Sequence, residues 1–199
     1  MAATLFLVRH AAHIHLNLRL SGRLADIPLS EAGRQQASAL AIRLSRASLR
    51  HVFCSPLDRT RETADAIAAA CGIGPAEVAE PLMEIDMGDW TGRAFDTFGD
   101  DPAWRAWNEQ RGTARIPGGE TMAEAQARIV GFMTEVAARH DGQAVALVSH
   151  ADMIKAAVCH VLNLSLDDVG RFDIDPASVT QVVLGDWGGR VMRLNEGVE

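Results

Sequence analysis

An α/β architecture around a mostly parallel central sheet is what this sequence of 199 residues predicts. Three observations lead there. Short apolar runs alternate along the chain with segments of helical periodicity, the pattern of strand–helix–strand units. The runs "LFLV" and "AVALV" are apolar without a break, as strands covered on both faces are. Composition is ordinary for a globular chain, with 48% apolar and 23% charged residues, and the length suffices for one sizeable core. The sequence therefore reads as one domain over 1–199, with an irregular insertion at about 88–119.

Each element has a local reason. Leu5–Val8 is a strand. Ser30 is placed to cap a helix whose apolar face is Ala37, Leu40, Ala41 and Leu44. "HVFC" is a second strand. Ser55 is expected to cap the next helix, with Pro56 at its first position, an inner face of Ala64, Ile67, Ala68 and Cys71, and a stop at Gly72. Thr121 and Glu124 have the spacing of a capping box, ahead of a helix that buries Ala125, Ile129, Phe132 and Val136. "AVALVSH" is a further strand and Met153 to Val161 a further helix. "SVTQVVLGDWGGRVMRLN" reads as two strands around a Gly-Gly turn, an antiparallel edge.

The net charge of −7 excludes a global basic footprint for nucleic acid, though one cleft can still be basic. No apolar run reaches the roughly 18 residues of a membrane span, and no basic region precedes the first short one. Cys54, Cys71 and Cys159 lack metal-ligand spacing and read as buried free thiols in a reducing compartment. The expected location is the cytoplasm.

The stretch "LFLVRHAAHIH" ends a buried strand in Arg9 and His10, followed by His13 and His15. An anion site, a metal site of three histidines, or a strand that reaches the surface would each account for it. Ligands of open α/β sheets bind outside the carboxyl ends of the strands. Three strands here end in polar residues: Arg9-His10, then Ser55 with Arg59 in the following first turn, then His150. Two histidines and two arginines at one sheet edge suit phosphoryl transfer. Neutral imidazole is a nucleophile near pH 7, guanidinium grips phosphate oxygens, and helix N-termini offer backbone donors. The leaving group needs an acid, for which "PLMEIDMGDWTG" offers Glu84, Asp86 and Asp89.

In order, "LVRHA", "DIPLSEAGRQQA", "CSPLDRTRETA", "LMEIDMGDWTG", "PGGET" and "LVSHAD" resemble the motifs of the histidine phosphatase superfamily, also called phosphoglycerate mutase-like. The resemblance spans about Leu5 to Val161. It implies a three-layer sandwich. It also implies His10 as the phosphorylated nucleophile, Arg9, Arg59 and His150 as phosphoryl-binding residues, and Glu84 as proton donor. The family usually has glycine after each active-site histidine, where Ala11 and Ala151 stand here. The loop from Ala12 to Arg23 also departs from the family pattern, which bears on the substrate class.

Competing readings exist for single residues. Arg61 rivals Arg59 for the phosphate; the motif favours Arg59. Asp86 and Asp89 read as turn or surface carboxylates. Glu120 is either a helix-start charge or a pocket residue. Arg9 beside the histidines disfavours a metal, which leaves His13 and Asn17 as substrate contacts and His15 at the surface. Trp104 and Trp107 are expected to pack a short helix onto the domain. The expected function is hydrolysis of a small phosphate monoester through a phosphohistidine, without cofactor or metal, the arginines and His150 supplying positive charge. The partner is a small phosphorylated metabolite, not nucleic acid or membrane. The alternatives are phosphoglycerate mutase-type transfer and a catalytically silent phosphate-binding regulatory domain.

Overall fold

The computed structural model describes residues 1–197. Six strands form one sheet: β1 (Ala2–Arg9), β2 (Leu49–Cys54), β3 (Glu77–Val78), β4 (Ala144–Ser149), β5 (Val179–Gly185) and β6 (Gly188–Glu196). Their order is β3-β2-β4-β1-β5-β6. The first four run parallel, and β5 and β6 are antiparallel additions. Five helices accompany the sheet: α1 (Glu31–Leu44), α2 (Asp58–Cys71), α3 (Pro102–Glu109), α4 (Met122–Arg139) and α5 (Ala151–Leu162).

Side-chain alternation along the strands builds three layers. Leu5, Leu7, Val145 and Leu147 point to one face, where Ile129, Phe132 and Val136 of α4 and Ile154 and Val158 of α5 cover them. Val8, Val52, Ala146 and Val148 point to the other face, under Ala37, Leu40 and Ala41 of α1 and Ala64, Ile67 and Ala68 of α2. The strands are apolar without a break because both faces are covered.

Ser30 caps α1 by accepting from the Gly33 N–H, and the Thr121–Glu124 capping box is complete. α2 departs from expectation. It begins at Asp58, after Leu57, with no side-chain cap. Ser55 does not cap it because it lies two residues before the cap position Leu57, and its hydroxyl meets His150 instead. At the C-terminal hairpin, Gly185 pairs with Gly188, so Asp186 and Trp187 form the turn and the glycine pair opens β6. Cys54 and Cys159 are buried, whereas Cys71 is partly exposed at the end of α2.

The region from 88 to 119 holds two 3-10 turns and α3. Trp107 is buried and Trp104 stacks on Phe98 with centroids 4.1 Å apart, so both tryptophans pack α3 down. The same region walls the cleft: Leu20 N–H donates to Arg93, Gly92 N–H to Leu20 and Phe95 N–H to Leu18, stitching it to the loop after β1.

Candidate active site

The ladder brings the three strand ends together. Arg9 of β1 is in register with Ser149 of β4, so His10 and His150 follow side by side. His10 N–H donates to the Ser149 carbonyl and Ser55 N–H to the Val148 carbonyl, both at 3.0 Å. The His10 and His150 rings lie 5.2 Å apart between centroids. Backbone hydrogen bonds therefore fix the relative positions of His10, Ser55 and His150.

His10 is buried, and its Nδ1 is 2.8 Å from the Ala11 carbonyl. A carbonyl only accepts, so Nδ1 carries the proton and Nε2 holds the free lone pair. Burial, then Arg59 and Arg9, hold the His10 pKa well below 6.5, and the ring is neutral at pH 7. Ala11 and Ala151 are absent from the positive-φ residues, so neither position needs glycine.

Arg9 donates through Nη1 to the Ile174 carbonyl at 2.6 Å, and Arg59 through Nη2 to the Gly22 carbonyl at 2.7 Å. The remaining donors are the informative ones. Arg9 Nε, Arg59 Nε and Arg59 Nη1 are buried without a hydrogen-bond partner among the described residues. Buried guanidinium N–H groups are costly to leave unpaired, and donors so placed suit an anionic acceptor. Arg61 is exposed on the outer side of α2.

His150 is fully buried. Its Nε2 lies 2.9 Å from Ser55 Oγ, and its Nδ1 lies 3.4 Å from Arg59 Nη2 and 3.7 Å from Glu84 Oε2. Burial, Arg59, His10 and Arg9 push its pKa well below 6.5. The expectation that His150 supplies positive charge is corrected: among two arginines and a second histidine it is neutral.

Glu84 follows the 3-10 turn Glu80–Leu82, and its side chain is only 14% exposed. Oε1 accepts from the Ile85 N–H at 2.9 Å. Burial, reinforced by Asp152 and opposed by Arg59, raises its pKa to about 7. Asp86 instead accepts from the Gly88 N–H and pairs with Arg23, and Asp89 is exposed.

Glu120 is neither a helix-start charge nor a cleft residue. Its Oε2 accepts from Arg23 Nη2, Arg128 Nη2 and the Asp86 N–H, each at 2.9 Å. The two arginines in turn grip the backbone: Arg23 Nε donates to Glu84 O at 2.8 Å, and Arg128 Nη1 to Met83 O at 2.7 Å. This bracket clamps the segment that presents Glu84. Glycine assists it, since a Cβ on Gly119 would sit 2.2 Å from the Asp86 carbonyl. Sequence reading missed Arg23 and Arg128, which belong to no local pattern, and took Ser55 for a helix cap.

The cleft holds about 160 Å³ and is lined by the polar residues Arg9, His10, Arg59 and Glu84 and by the apolar residues Leu16, Leu20, Met87 and Phe95. His13 and Asn17 line it too. His13 is buried 5.3 Å from the His10 ring, and its Nδ1 accepts from the His15 N–H, which leaves a proton on Nε2. Burial, then Arg59 and Arg9, lowers its pKa to about 4. Asn17 is exposed in the left-handed region at φ 61°. His15 is half-buried rather than at the surface. Among the described residues, no three His, Cys, Asp or Glu side chains group to hold a metal ion.

Known proteins share this fold over nearly the whole chain. The family model for the histidine phosphatase superfamily (branch 1) matches residues 5–197. Phosphoserine phosphatase 1 of Hydrogenobacter thermophilus is 34% identical over 195 residues, covering 96% of this chain and 91% of that protein. A probable phosphoglycerate mutase GpmB of Cronobacter sakazakii is 32% identical, covering 89% and 83%. The structure of a mycobacterial glucosyl-3-phosphoglycerate phosphatase superposes with a TM-score of 0.87 at 28% identity, covering 99% of this chain and all of that one.

Proposed function

This chain belongs to the histidine phosphatase superfamily, and from that premise we propose that it hydrolyses a small phosphate monoester through a phosphohistidine at His10. One observation carries the reading: three unpartnered, buried guanidinium N–H groups beside a neutral histidine whose Nδ1 is tied to a carbonyl. Arg9 and Arg59 hold the phosphoryl oxygens. His10 Nε2 attacks phosphorus in line as the bond to the leaving oxygen breaks. Glu84, protonated in its buried site, gives its proton to that oxygen. It then takes one from the water that cleaves the phosphohistidine and returns His10 to its free form. His150 contributes a neutral N–H, and charge stabilisation comes from the two arginines without a metal. His13 and Asn17 contact the organic part of the substrate. The cleft's size, about 160 Å³, suits a small phosphorylated metabolite. Among the described residues, no helix is long and apolar enough to cross a membrane. Three free cysteines favour a reducing compartment, which we take as the cytoplasm.

The test is a single experiment with two readouts. Labelled p-nitrophenyl phosphate should yield a trapped, acid-labile, base-stable phosphoenzyme, absent in His10→Ala, with hydrolysis surviving EDTA. Because one relative is named a probable mutase, 3-phosphoglycerate with a trace of 2,3-bisphosphoglycerate is run in parallel. Free phosphate is expected. Rapid isomerisation with little phosphate release would replace hydrolysis by phosphoryl transfer, and turnover in His10→Ala would refute the nucleophile.

A further inference from the structure

We propose that Ser55 is a positioning residue that sets the tautomer of His150: its hydroxyl donates to Nε2, which places the ring proton on Nδ1, the ring atom beside Arg59 Nη2 and Glu84 Oε2. The inference rests on the hydrolase reading for its consequence, and on hydrogen-bond accounting for its content.

Ser55 is fully buried. Its backbone is occupied, N–H to Val148 and carbonyl from Thr60 Oγ1. Its hydroxyl has two neighbours, His150 Nε2 at 2.9 Å and the Leu57 N–H at 3.5 Å. The Leu57 N–H is a donor, so it takes a lone pair of Oγ. If Nε2 also donated, Oγ would accept twice and its own proton would point at no acceptor, the expensive arrangement for a buried hydroxyl. With Nε2 as acceptor, both hydroxyl neighbours are satisfied.

The other end of the ring shows what this achieves. Around Nδ1 stand Arg59 Nη2 and Glu84 Oε2. In the opposite tautomer Nδ1 would accept the long 3.4 Å contact from Arg59, and His150 would offer an anion only a lone pair. In the tautomer set by Ser55, Nδ1–H adds a donor to the unpartnered N–H groups of Arg59 and Arg9, beside the nucleophilic lone pair of His10 and the Glu84 carboxyl. Two donors facing each other across 3.4 Å are poorly matched until an acceptor oxygen lies between them. The same residue that ends β2 thus prepares a neutral histidine on β4 to bind a phosphoryl oxygen.

The experiment is long-range ¹H–¹⁵N correlation on the full chain labelled in histidine, at pH 7.5, with His150 assigned by His150→Gln. Wild type should show His150 protonated on Nδ1. Ser55→Ala should shift it toward Nε2–H and weaken orthovanadate binding about tenfold, the scale of one hydrogen bond. Ser55→Thr, which keeps the hydroxyl, should restore both. Nε2–H in wild type, or an unchanged Nδ1–H in Ser55→Ala, overturns the inference even if His10 is phosphorylated normally. Failure of His10 to label, with the tautomer behaving as described, refutes the hydrolase reading and leaves the Ser55 assignment standing.

Discussion

The floor of the cleft and its acid wall are held by different forces. His10, Ser55 and His150 sit at the ends of β1, β2 and β4, where the parallel ladder fixes the backbone and buries the side chains. Glu84 sits on an irregular segment outside the sheet. Its placement depends on side chains, with Arg23 and Arg128 gripping carbonyls and Glu120 joining the two arginines. A ladder-built site fails locally when a residue changes. A bracket-built one fails at a distance, because any of its members can release the loop. The prediction is that substitutions on the floor cost activity on every phosphate ester, whereas substitutions on the wall discriminate by leaving group.

Arg59 should give the largest effect. Arg59→Ala removes two buried donors aimed at the cleft, and losing one such donor typically costs ~10²- to 10³-fold. We expect at least that loss in kcat/KM, equal for alkyl phosphates and p-nitrophenyl phosphate. Arg59→Lys should rescue little, since an ammonium lacks the planar fork that reaches Gly22 and the anion together. A loss that depended on the leaving group would place Arg59 with the wall.

Glu84 is the opposite case. Glu84→Gln should slow an alkyl phosphate roughly 10²-fold or more and p-nitrophenyl phosphate far less, because only the alkoxide needs a proton. With its pKa raised to about 7, the wild-type rate on the alkyl ester should fall as pH rises above 7. Glu84→Gln should lack that limb. Stability carries the same signature. The fold favours the neutral carboxyl, so wild-type stability declines between the ordinary carboxylate range and about pH 7, then levels. Thermal melts should show Glu84→Gln gaining over wild type by a few degrees at pH 8 and little at pH 4. A constant difference across that range would mean that the carboxyl is not perturbed.

How much of this was legible in the sequence follows from the same division. β1, β4 and their terminal residues could be read because unbroken apolar runs end abruptly in Arg9-His10 and His150. The α1 and α4 caps were legible because capping chemistry is local. Ser55 was misread because a serine before a proline satisfies the local rule for a helix start, while its actual partner is 95 residues away. Arg23, Glu120 and Arg128 are likewise joined only by folding. His150 looked like a cation because its charge depends on how many cations surround it, and spacing does not report that.

Glu120 tests the bracket. Glu120→Gln keeps the shape and removes the charge that two arginines and an N–H share. It should slow the alkyl ester about tenfold, change p-nitrophenyl phosphate hydrolysis little, and leave vanadate affinity within about twofold, consistent with loss of one charge-assisted contact. Equal losses on both esters, or weakened vanadate, would show that the bracket also supports the floor and would dissolve the distinction.

Asn17 should give the smallest effect, and two substitutions separate its possible contributions. It stands at the mouth of the cleft with φ 61°, a conformation that asparagine tolerates and alanine resists. Asn17→Gly removes the amide and keeps the backbone free; Asn17→Ala removes the amide and strains the turn. If the amide contacts substrate, both should raise KM by roughly two- to tenfold, the range of a single neutral hydrogen bond, with kcat unchanged. Asn17→Ala should in addition lower the melting temperature slightly, because alanine lacks the short polar side chain that eases asparagine into the αL conformation. Should Asn17→Gly keep the wild-type KM while Asn17→Ala raises it, the residue serves the turn alone. Substrate selection would then fall to His13 and the apolar side chains of Leu16, Leu20 and Phe95 that line the cleft.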